Sequence, residues 1–238
     1  MTSGPAQLDV ALYAGDGIES DSIDTFHRLV EMSGAGRLAL LHPEHVTPAR
    51  LAPVDVLILP GGRGSEICAA LGDAGKRAVR NYAAGGGSVL AICAGMYAVS
   101  ARYPWSLQIA PIQVLDTKHW RRGEGHVAIS LTPEGQTALG TRDASLQAYF
   151  YNGPVVAPYP DGSTPAYITL ATFEDELVHP DGIRGLMVGS PAALLAPFGR
   201  GTVLAISPHL EDTTGHDHLV THAIGYLAER RRRAAGAS

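Results

Sequence analysis

The chain has 238 residues, of which 45% are hydrophobic and 17% charged, a composition that excludes an intrinsically disordered protein. Its formal net charge of −5 argues against nucleic acid as the main partner. No apolar run has membrane-spanning length, and two cysteines provide no disulfide framework, so we expect a cytoplasmic protein. A single domain is predicted over residues 1–238, with its core at roughly 8–228.

In the first half of the chain, apolar runs of strand length alternate with helical patterns. The predicted strands span residues 8–14, 37–41, 54–59 and 88–92. The helical patterns are the stripe of Ile23, Phe26, Leu29 and Val30 and two pieces that begin at Ser65 and Ala74, the second ending at glycines 85–87. This alternation predicts an α/β fold with a mostly parallel central sheet covered on both faces.

The second half has a different pattern. Its predicted strands span residues 108–115, 126–131, 146–151, 166–173 and 186–189, with glycine, proline and aspartate turns between them and no long helix. A final strand that starts near Gly201 is expected to return to the main sheet, and a helix over residues 214–232 to close the fold. We therefore predict a β-rich extension in this half.

A glycine-rich turn follows the strand that ends at Leu59. It contains Gly61, Gly62 and Gly64, and glycines allow backbone N–H groups to approach a ligand closely. Beside a nucleophile, the N–H of Gly62 would serve an oxyanion hole. An ordinary strand-to-helix turn is the simpler interpretation, and a phosphate-binding loop is not favoured because no Gly-Lys-Ser/Thr follows.

The strand over residues 88–92 leads directly into Cys93. Small residues flank this cysteine at Ala91, Ala94 and Gly95, and a helix-compatible stretch follows. Small neighbours at a strand-to-helix turn are typical of a nucleophile elbow, here with cysteine as the nucleophile and the Ala94 N–H as a second oxyanion donor. The alternative is a cysteine buried at a strand end.

A second polar motif follows the last predicted strand, where the chain reads His209-Leu210-Glu211. A cysteine nucleophile needs a base, and that base needs a group that orients it. Cys93, His209 and Glu211 supply these parts, and the carboxyl ends of parallel strands share one sheet edge. The alternative for His209 and Glu211 is a solvated loop.

Several weaker candidates have two interpretations each. Asp16 and Glu19 follow the first strand, where a carboxylate would either touch the thiol or substrate or cap the next helix. Asn152 would either place its amide over the pocket or form a turn. His218 and His222 have helical metal-ligand spacing, but a surface or packed histidine pair is favoured because no cluster accompanies them.

Taken together, these segments resemble the class I glutamine amidotransferase-like superfamily, and within it the family of the biotin-protein ligase N-terminal domain in its stand-alone form. The segments that carry the resemblance are Tyr13-Ala14-Gly15-Asp16-Gly17, Leu59-Pro60-Gly61-Gly62, Gly85-Gly86-Gly87-Ser88, Ile92-Cys93-Ala94-Gly95, Tyr151-Asn152-Gly153-Pro154 and His209-Leu210-Glu211. The resemblance covers roughly residues 8–228. Ala91 stands where many members have glycine, and Leu210 where amidotransferases usually have proline.

The resemblance implies a flavodoxin-like three-layer sandwich and a Cys-His-Glu triad, but it specifies no substrate. From it we expect a cysteine-dependent hydrolase or amidotransferase-like enzyme that acts on a C–N bond of a small-molecule substrate, with Gly61 as a further binding residue. The alternatives are lyase, hydratase or deglycase chemistry at the same cysteine, or a binding or regulatory module without turnover. The resemblance implies no metal and no organic cofactor. A homodimer is one possible partner arrangement.

Overall fold

The computed structural model describes residues 7–32, 36–160 and 167–236. Its strands are β1 (Leu8–Tyr13), β2 (Gly36–Leu41), β3 (Val56–Leu59), β4 (Ser88–Ile92), β5 (Ile112–Val114), β6 (Glu124–Leu131), β7 (Ser145–Tyr151), β8 (Val156–Pro158), β9 (Ile168–Phe173), β10 (Pro191–Phe198) and β11 (Gly201–Ile206). Its α-helices are α1 (Ser22–Met32), α2 (Pro48–Leu51), α3 (Gly64–Ala84), α4 (Ala94–Val99), α5 (Pro133–Leu139) and α6 (Asp217–Gly236). A 3₁₀ turn spans Pro43–His45.

The main sheet has nine strands in the order β2-β1-β3-β4-β11-β10-β9-β6-β7. The first five of these strands are parallel to one another, and the remaining strands pair antiparallel. The parallel part has the strand order of a flavodoxin-like fold. The mostly parallel sheet and the β-rich extension that the sequence predicts are therefore confirmed.

The core has two parts, one on each face of the sheet, because successive strand residues point to opposite faces. Along β1, Val10 and Leu12 pack on one side in the same cluster as Phe26 of α1. The intervening Ala11 packs on the other side, in the same cluster as Val79 of α3. Strands covered on both faces explain why β3, β4 and β11 are buried along their whole length.

Helix α3 contains a break that matches the two helical pieces expected from the sequence. Gly72 adopts φ 58° and ψ −176°, which is not a helical conformation. A positive φ of this kind is accessible to glycine at little steric cost. The two pieces that begin near Ser65 and Ala74 are therefore separated by this single glycine.

The antiparallel part differs from the prediction at one strand. Residues 186–189 form turns instead of a strand, because Gly185 and Gly189 adopt left-handed φ angles of 78° and 77° on either side. The strand that pairs with β11 is β10, which begins at Pro191 and also contains Pro197. Prolines weaken a strand pattern, so β10 was not predicted, nor were the short elements α5 and β8. Ala166, the start of one predicted strand, lies outside the described residues.

The antiparallel part bends back toward the parallel part. Strand β7 is the last strand in the pairing order, yet its Tyr149 forms an isolated antiparallel bridge with His209, which follows β11. The end of β7 therefore lies over the edge at which β4 and β11 end. In the part of the chain that the structure describes, no helix is both long and apolar enough to cross a membrane.

Candidate active site

Cys93 lies at a strained turn between β4 and α4. Its φ of 47° and ψ of −99° are outside the regions that an L-residue ordinarily adopts. The turn is held by two hydrogen bonds, in which the Cys93 N–H donates to the Ile206 carbonyl at 2.8 Å and the Gly95 N–H to the Pro60 carbonyl at 3.1 Å. Strain of this kind persists only where the surrounding structure enforces it, and it is concentrated at functional sites.

The packing of this turn requires glycine at position 95, two residues after the cysteine, and at position 64 in the glycine-rich turn. A Cβ atom added to Gly95 would lie 2.1 Å from the Leu59 carbonyl oxygen, and one added to Gly64 would lie 2.7 Å from the Ala94 carbonyl oxygen. The glycine-rich turn after β3 is therefore in direct contact with the start of α4. This contact brings two of the sequence motifs together.

His209 and Glu211 form a buried pair at the same edge. The Nδ1 atom of His209 lies 2.9 Å from Oε1 of Glu211, and the two side chains are 1% and 5% exposed. Oδ2 of Asp212 lies 3.4 Å from the same Nδ1. This leaves Nε2 as the nitrogen of His209 that is available to exchange a proton with a neighbour.

The backbone around His209 is fixed by β7 and by Thr213. The His209 N–H donates to the Tyr149 carbonyl at 2.7 Å, and the Thr213 hydroxyl donates to the His209 carbonyl at 2.6 Å. The same hydroxyl accepts the Tyr149 N–H at 2.9 Å. Both backbone groups of His209 are therefore used, and the imidazole has little freedom to move.

Cys93 acts electrostatically on His209. Burial alone would lower the pKa of His209, but the neighbouring Cys93, Asp212 and Glu211 raise it above its ordinary value. The Nε2 atom has no hydrogen-bond partner among the described residues, and the Cys93 thiol donates to the Tyr151 carbonyl at 3.6 Å. A catalytic hydrogen bond that is absent from an unliganded site often forms only when substrate binds.

The carboxylates near His209 are in an environment of low polarity. Burial raises the pKa of Glu211, while His209 acts in the opposite direction. Burial also raises the pKa of Glu19, with Asp212 and Glu211 adding to this effect and His209 again opposing it. Side-chain ligand atoms of Glu19, His209 and Asp212 lie within 4.8 Å of one another, so they form the one group among the described residues with the spacing to hold a metal ion.

The predicted oxyanion donors lie on the two segments that meet at the elbow. Gly62 adopts φ +128°, and a Cβ atom there would lie 2.0 Å from the Gly17 carbonyl oxygen. Within the described part of the chain, neither the Gly62 N–H nor the Ala94 N–H donates to a backbone carbonyl. Gly61 packs against the imidazole, because a Cβ atom there would lie 2.7 Å from Cε1 of His209.

The remaining predicted binding residues have different surroundings. Asp16 is exposed and α1 begins only at Ser22, so Asp16 is too far from this helix to cap it. The Oδ1 atom of Asn152 accepts the Gly123 N–H at 3.0 Å, which ties the end of β7 to the loop before β6. His218 and His222 are exposed on α6, and no third ligand-type side chain of the described residues joins them.

Two cavities flank the elbow. One has a volume of about 300 Å³ and is lined by the glycine turn and four aromatic residues: Tyr97, Tyr103, Trp105 and Trp120. The other has a volume of about 460 Å³ and is lined by His209 and Tyr151, among others. The loop that contains Trp120 therefore contributes to the first cavity.

Sequence reasoning gave too little weight to three groups at this site. Glu19 was left with two interpretations, one of them a helix cap, and neither Asp212 nor the carbonyl of Tyr151 was singled out. A polar residue directly after a strand was the available signal for Glu19 and Asp212. A carbonyl carries no sequence signal, since every residue has one.

Residues 8–122 match the family model described as "Biotin-protein ligase, N terminal". This match covers 115 of the 238 residues and is to the family that the sequence resembles. The fold is similar to that of a Thermoplasma acidophilum protein described as one component of GMP synthase, with a TM-score of 0.65, 13% identity and 98% of each chain covered. It is also similar to a glutamine amidotransferase, with a TM-score of 0.63, 17% identity, and 92% of this chain and 98% of that one covered.

A third similar structure is that of a protein from Bacteroides uniformis described as ThuA-like, with a TM-score of 0.65, 14% identity, and 95% of this chain and 94% of that one covered. No curated protein sequence matches the chain. At these identities the similarity establishes a glutamine amidotransferase-like fold and nothing about the reaction.

Proposed function

We propose that the protein is a cysteine-dependent hydrolase or amidotransferase-like enzyme that cleaves a C–N bond of a small-molecule amide. The observation that carries the proposal is the strained backbone of Cys93 beside a buried His209–Glu211 pair. Packing alone gives no reason for a cysteine at a positive φ next to a histidine whose pKa is raised.

In this mechanism, Cys93 transfers its proton to Nε2 of His209 and the thiolate attacks the carbonyl carbon. The oxyanion that forms accepts hydrogen bonds from the N–H groups of Gly62 and Ala94. Collapse breaks the C–N bond, and His209 returns its proton to the leaving nitrogen. Glu211 holds the imidazole through Nδ1 and stabilises its charged form.

The thioester that remains is then resolved by a second nucleophile. His209 removes a proton from water, the resulting hydroxide attacks the thioester carbon, and the C–S bond breaks. The thiolate leaves, and the product is a carboxylic acid. If the amine released in the first step is ammonia and is passed to a second substrate, while water still hydrolyses the thioester, the protein acts as an amidotransferase.

The surroundings of the elbow indicate where the acyl part of the substrate binds. Gly62 lines the cavity of about 300 Å³, and four aromatic side chains form much of its remaining wall. A cavity of this kind suits an apolar or planar group. We therefore propose that the acyl side of the substrate binds in this cavity. We also propose that the enzyme is cytoplasmic and needs no organic cofactor.

An electrophilic cysteine probe tests the proposal directly. We expect a chloroacetamide probe to label the wild-type protein at Cys93. The label at this position should be lost in Cys93→Ala, and Cys93 should be labelled more slowly in His209→Ala. Turnover of a panel of primary and secondary amides, measured by release of amine, should be lost in the same two variants. The control is Cys68→Ala, which should retain both labelling and turnover.

The binding-module alternative predicts a different result. The Cys93 side chain is 4% exposed and its thiol donates to the Tyr151 carbonyl, so it is held inside the protein and not presented to solvent. If Cys93→Ala retains full function in a complementation assay and no amide is hydrolysed, the enzyme proposal is wrong and the site serves binding or regulation.

A further inference from the structure

The aromatic cavity, lined by Gly62, Tyr97, Tyr103, Trp105 and Trp120 among others, contains both tryptophans of the chain. The rings of Tyr103 and Trp105 are stacked, with centroids 4.5 Å apart and planes inclined by 14°. Trp120 is 41% exposed. Aromatic rings attract one another most strongly in offset-stacked or edge-to-face arrangements. The walls of this cavity therefore favour a ligand that is itself an aromatic ring.

The size of the cavity limits the ligand to one substituted ring. Its volume of about 300 Å³ is at the small end for ligand pockets. A cavity of roughly 150 Å³ is enough to bind benzene in a protein interior. The remaining volume therefore leaves room for polar substituents on the ring, but not for a long chain segment.

The surroundings of the aromatic cavity are cationic, although the whole chain has a net charge of −5. Arg63 lines the cavity and pairs with Glu66 at 3.1 Å, while the guanidinium of Arg121 lies 5.0 Å from the centre of the Trp120 ring. In the part of the chain that the structure describes, Arg121 and the exposed Lys118 form no ion pair. No described lining residue is an aspartate or glutamate. The local charge therefore favours an anionic ligand.

Arg122, on the segment that also contains Trp120, is a buried cation with unused donors. It is 4% exposed, and neither Nη1 nor Nη2 has a hydrogen-bond partner among the described residues. Oδ2 of Asp116 lies 3.9 Å from Nη2, which is too far for a hydrogen bond. The same carboxylate already lies 2.8 Å from Nδ1 of His119 and accepts the Ile183 N–H at 3.3 Å. A buried donor without an acceptor is costly, and an anionic ligand would supply the missing acceptor.

Tyr97 connects Arg122 with both the aromatic cavity and the nucleophile. Its ring lines the cavity, and its hydroxyl donates to the Asn152 carbonyl at 3.3 Å. Gly123, which follows Arg122, donates its N–H to Oδ1 of the same asparagine at 3.0 Å. Burial raises the pKa of the Tyr97 hydroxyl, and Cys93 adds to this effect while Arg122 opposes it. A ligand that packs on the Tyr97 ring is therefore close to both the guanidinium and the nucleophile.

We propose that the aromatic cavity binds an aromatic ring that carries an anionic group, with the ring stacked on Trp105 and Trp120 and the anion bound by Arg122. Arg63 adds positive charge at the cavity wall. The inference rests on the proposed function and names its substrate class: amides of aromatic acids whose ring has a second, anionic substituent such as a carboxylate. A zwitterionic amino-acid amide fits less well, because no described lining residue has a carboxylate to pair with its ammonium group.

Binding can be measured without turnover, because both tryptophans line the cavity and their fluorescence reports on it. We would titrate Cys93→Ala with three aromatic amides of one scaffold: the anionic 4-carbamoylbenzoate, the neutral 4-methylbenzamide and the cationic 4-(aminomethyl)benzamide. A fourth amide, trans-4-carbamoylcyclohexanecarboxylate, keeps the anion but lacks the aromatic ring, and its affinity would be measured by competition.

The four affinities test the ring and the charge separately. We expect 4-carbamoylbenzoate to bind at least about tenfold more tightly than the cationic amide, with the neutral amide between them, because charges a few ångströms apart interact strongly in a partly buried site. It should also bind at least about threefold more tightly than the cyclohexane analogue, because only the aromatic ring can stack on the tryptophans.

Two variants with matched controls assign these preferences to named residues. Arg122→Met keeps an apolar stem without the charge and should reduce the preference for the anionic over the neutral amide by at least about threefold. Arg142→Met removes an exposed arginine elsewhere and should leave this preference unchanged. Trp120→Leu should weaken binding of all three aromatic amides by about threefold, with Trp105 remaining as the fluorescent reporter. Tyr226→Leu removes an aromatic ring from a different cavity and should change nothing.

Several outcomes would overturn the inference. These are an equal anion preference in Arg122→Met and the parent protein, equal or tighter binding of the cationic amide, and no binding of any of the four amides. If Arg122→Met does not fold, the affinities of the four amides for the parent protein still decide. If amides are hydrolysed irrespective of their ring and charge, this inference fails alone. If the preference for an aromatic anion is found but no amide is hydrolysed, the proposed function fails alone.

Discussion

The parallel and antiparallel halves of the sheet contribute different parts of the candidate site. The parallel half supplies the side chains, since Cys93 follows β4 and His209 follows β11. The antiparallel half supplies backbone, because the carbonyls of Tyr149 and Tyr151 at the end of β7 accept hydrogen bonds from the His209 N–H and the Cys93 thiol.

This difference has a physical origin. In the parallel half, neighbouring strands are joined by helices, so their carboxyl ends meet at one edge and local motifs come together as a consequence of topology. In the antiparallel half, β7 reaches the site only because the sheet bends back. Its contacts depend on distant pairings, and its contributing atoms are carbonyls that any sequence could provide.

The largest expected effect comes from the packing of the elbow against the parallel half. Gly95→Ala would place a Cβ atom 2.1 Å from the Leu59 carbonyl oxygen, which is rigid backbone. We expect a loss of about 3 kcal/mol in the free energy of unfolding, measured by urea denaturation. In Gly225→Ala, the control, the new Cβ meets nothing within 4 Å in α6, so a gain of about 0.5–1 kcal/mol is expected. An unchanged Gly95→Ala would contradict the close contact.

The success of the sequence analysis in the parallel half follows from the same packing. Strand β3 is a continuous apolar run, β1 and β4 are apolar except at Asp9 and Ser88, and glycines mark the turns where backbone segments touch. These constraints are local, so they leave a readable pattern. The prediction of a strand at residues 186–189 was wrong, because the left-handed conformations of Gly185 and Gly189 impose turns on this segment. The spacing of glycines in a sequence does not by itself distinguish a turn from the end of a strand.

The second effect separates the two cysteines. Cys68 and Cys93 are 1% and 4% exposed, so accessibility barely distinguishes them. Burial raises the pKa of Cys68 to about 12, although the nearby Lys76 acts in the opposite direction. We expect iodoacetamide at pH 7 to modify Cys93 at least about 100-fold faster than Cys68, as seen by mass spectrometry of tryptic peptides. Faster labelling of Cys68 would refute Cys93 as the nucleophile.

The third effect tests the contribution of the antiparallel half. Thr213→Val preserves the shape of the side chain but removes the hydroxyl that joins the Tyr149 N–H to the His209 carbonyl. Two buried backbone groups lose a partner, so we expect a loss of about 2 kcal/mol in unfolding free energy, together with slower labelling of Cys93. Thr137→Val removes an exposed hydroxyl bond to the Pro133 carbonyl and should cost less than about 0.5 kcal/mol. Equal costs for the two variants would argue against β7 as a support for His209.

Part of the site could not have been predicted from the sequence for a related reason. Glu19 follows β1 as His209 follows β11, yet an acidic residue before a helix is common as a cap. Its position beside His209 depends on the conformation of the turn after Gly17, whose carbonyl accepts the Arg63 N–H at 2.6 Å. Residue type suggested a carboxylate near the edge, but only the folded loops decide which carboxylate reaches the imidazole.

The smallest expected effect concerns the charge of His209. Burial lowers the pKa of His209, and Cys93 is foremost among the neighbours that raise it again. Cys93→Ala should therefore lower the pKa of His209, which NMR titration of its Hε1 signal would measure. A histidine whose folded pKa is raised contributes stability that is complete below its unfolded pKa of about 6.5 and is lost as the pH rises through the folded value.

That sign gives a second, independent readout of the same coupling. Between pH 6.5 and 9, the wild type should retain the His209 contribution to unfolding free energy to a higher pH than Cys93→Ala does. Cys68→Ala is the matched control, because this thiol lies away from the imidazole and its removal should leave the titration of His209 unchanged. An identical His209 titration in the wild type and Cys93→Ala would mean that the thiol and the imidazole do not interact. The parallel half would then place the two residues at one edge without joining them into a reactive pair.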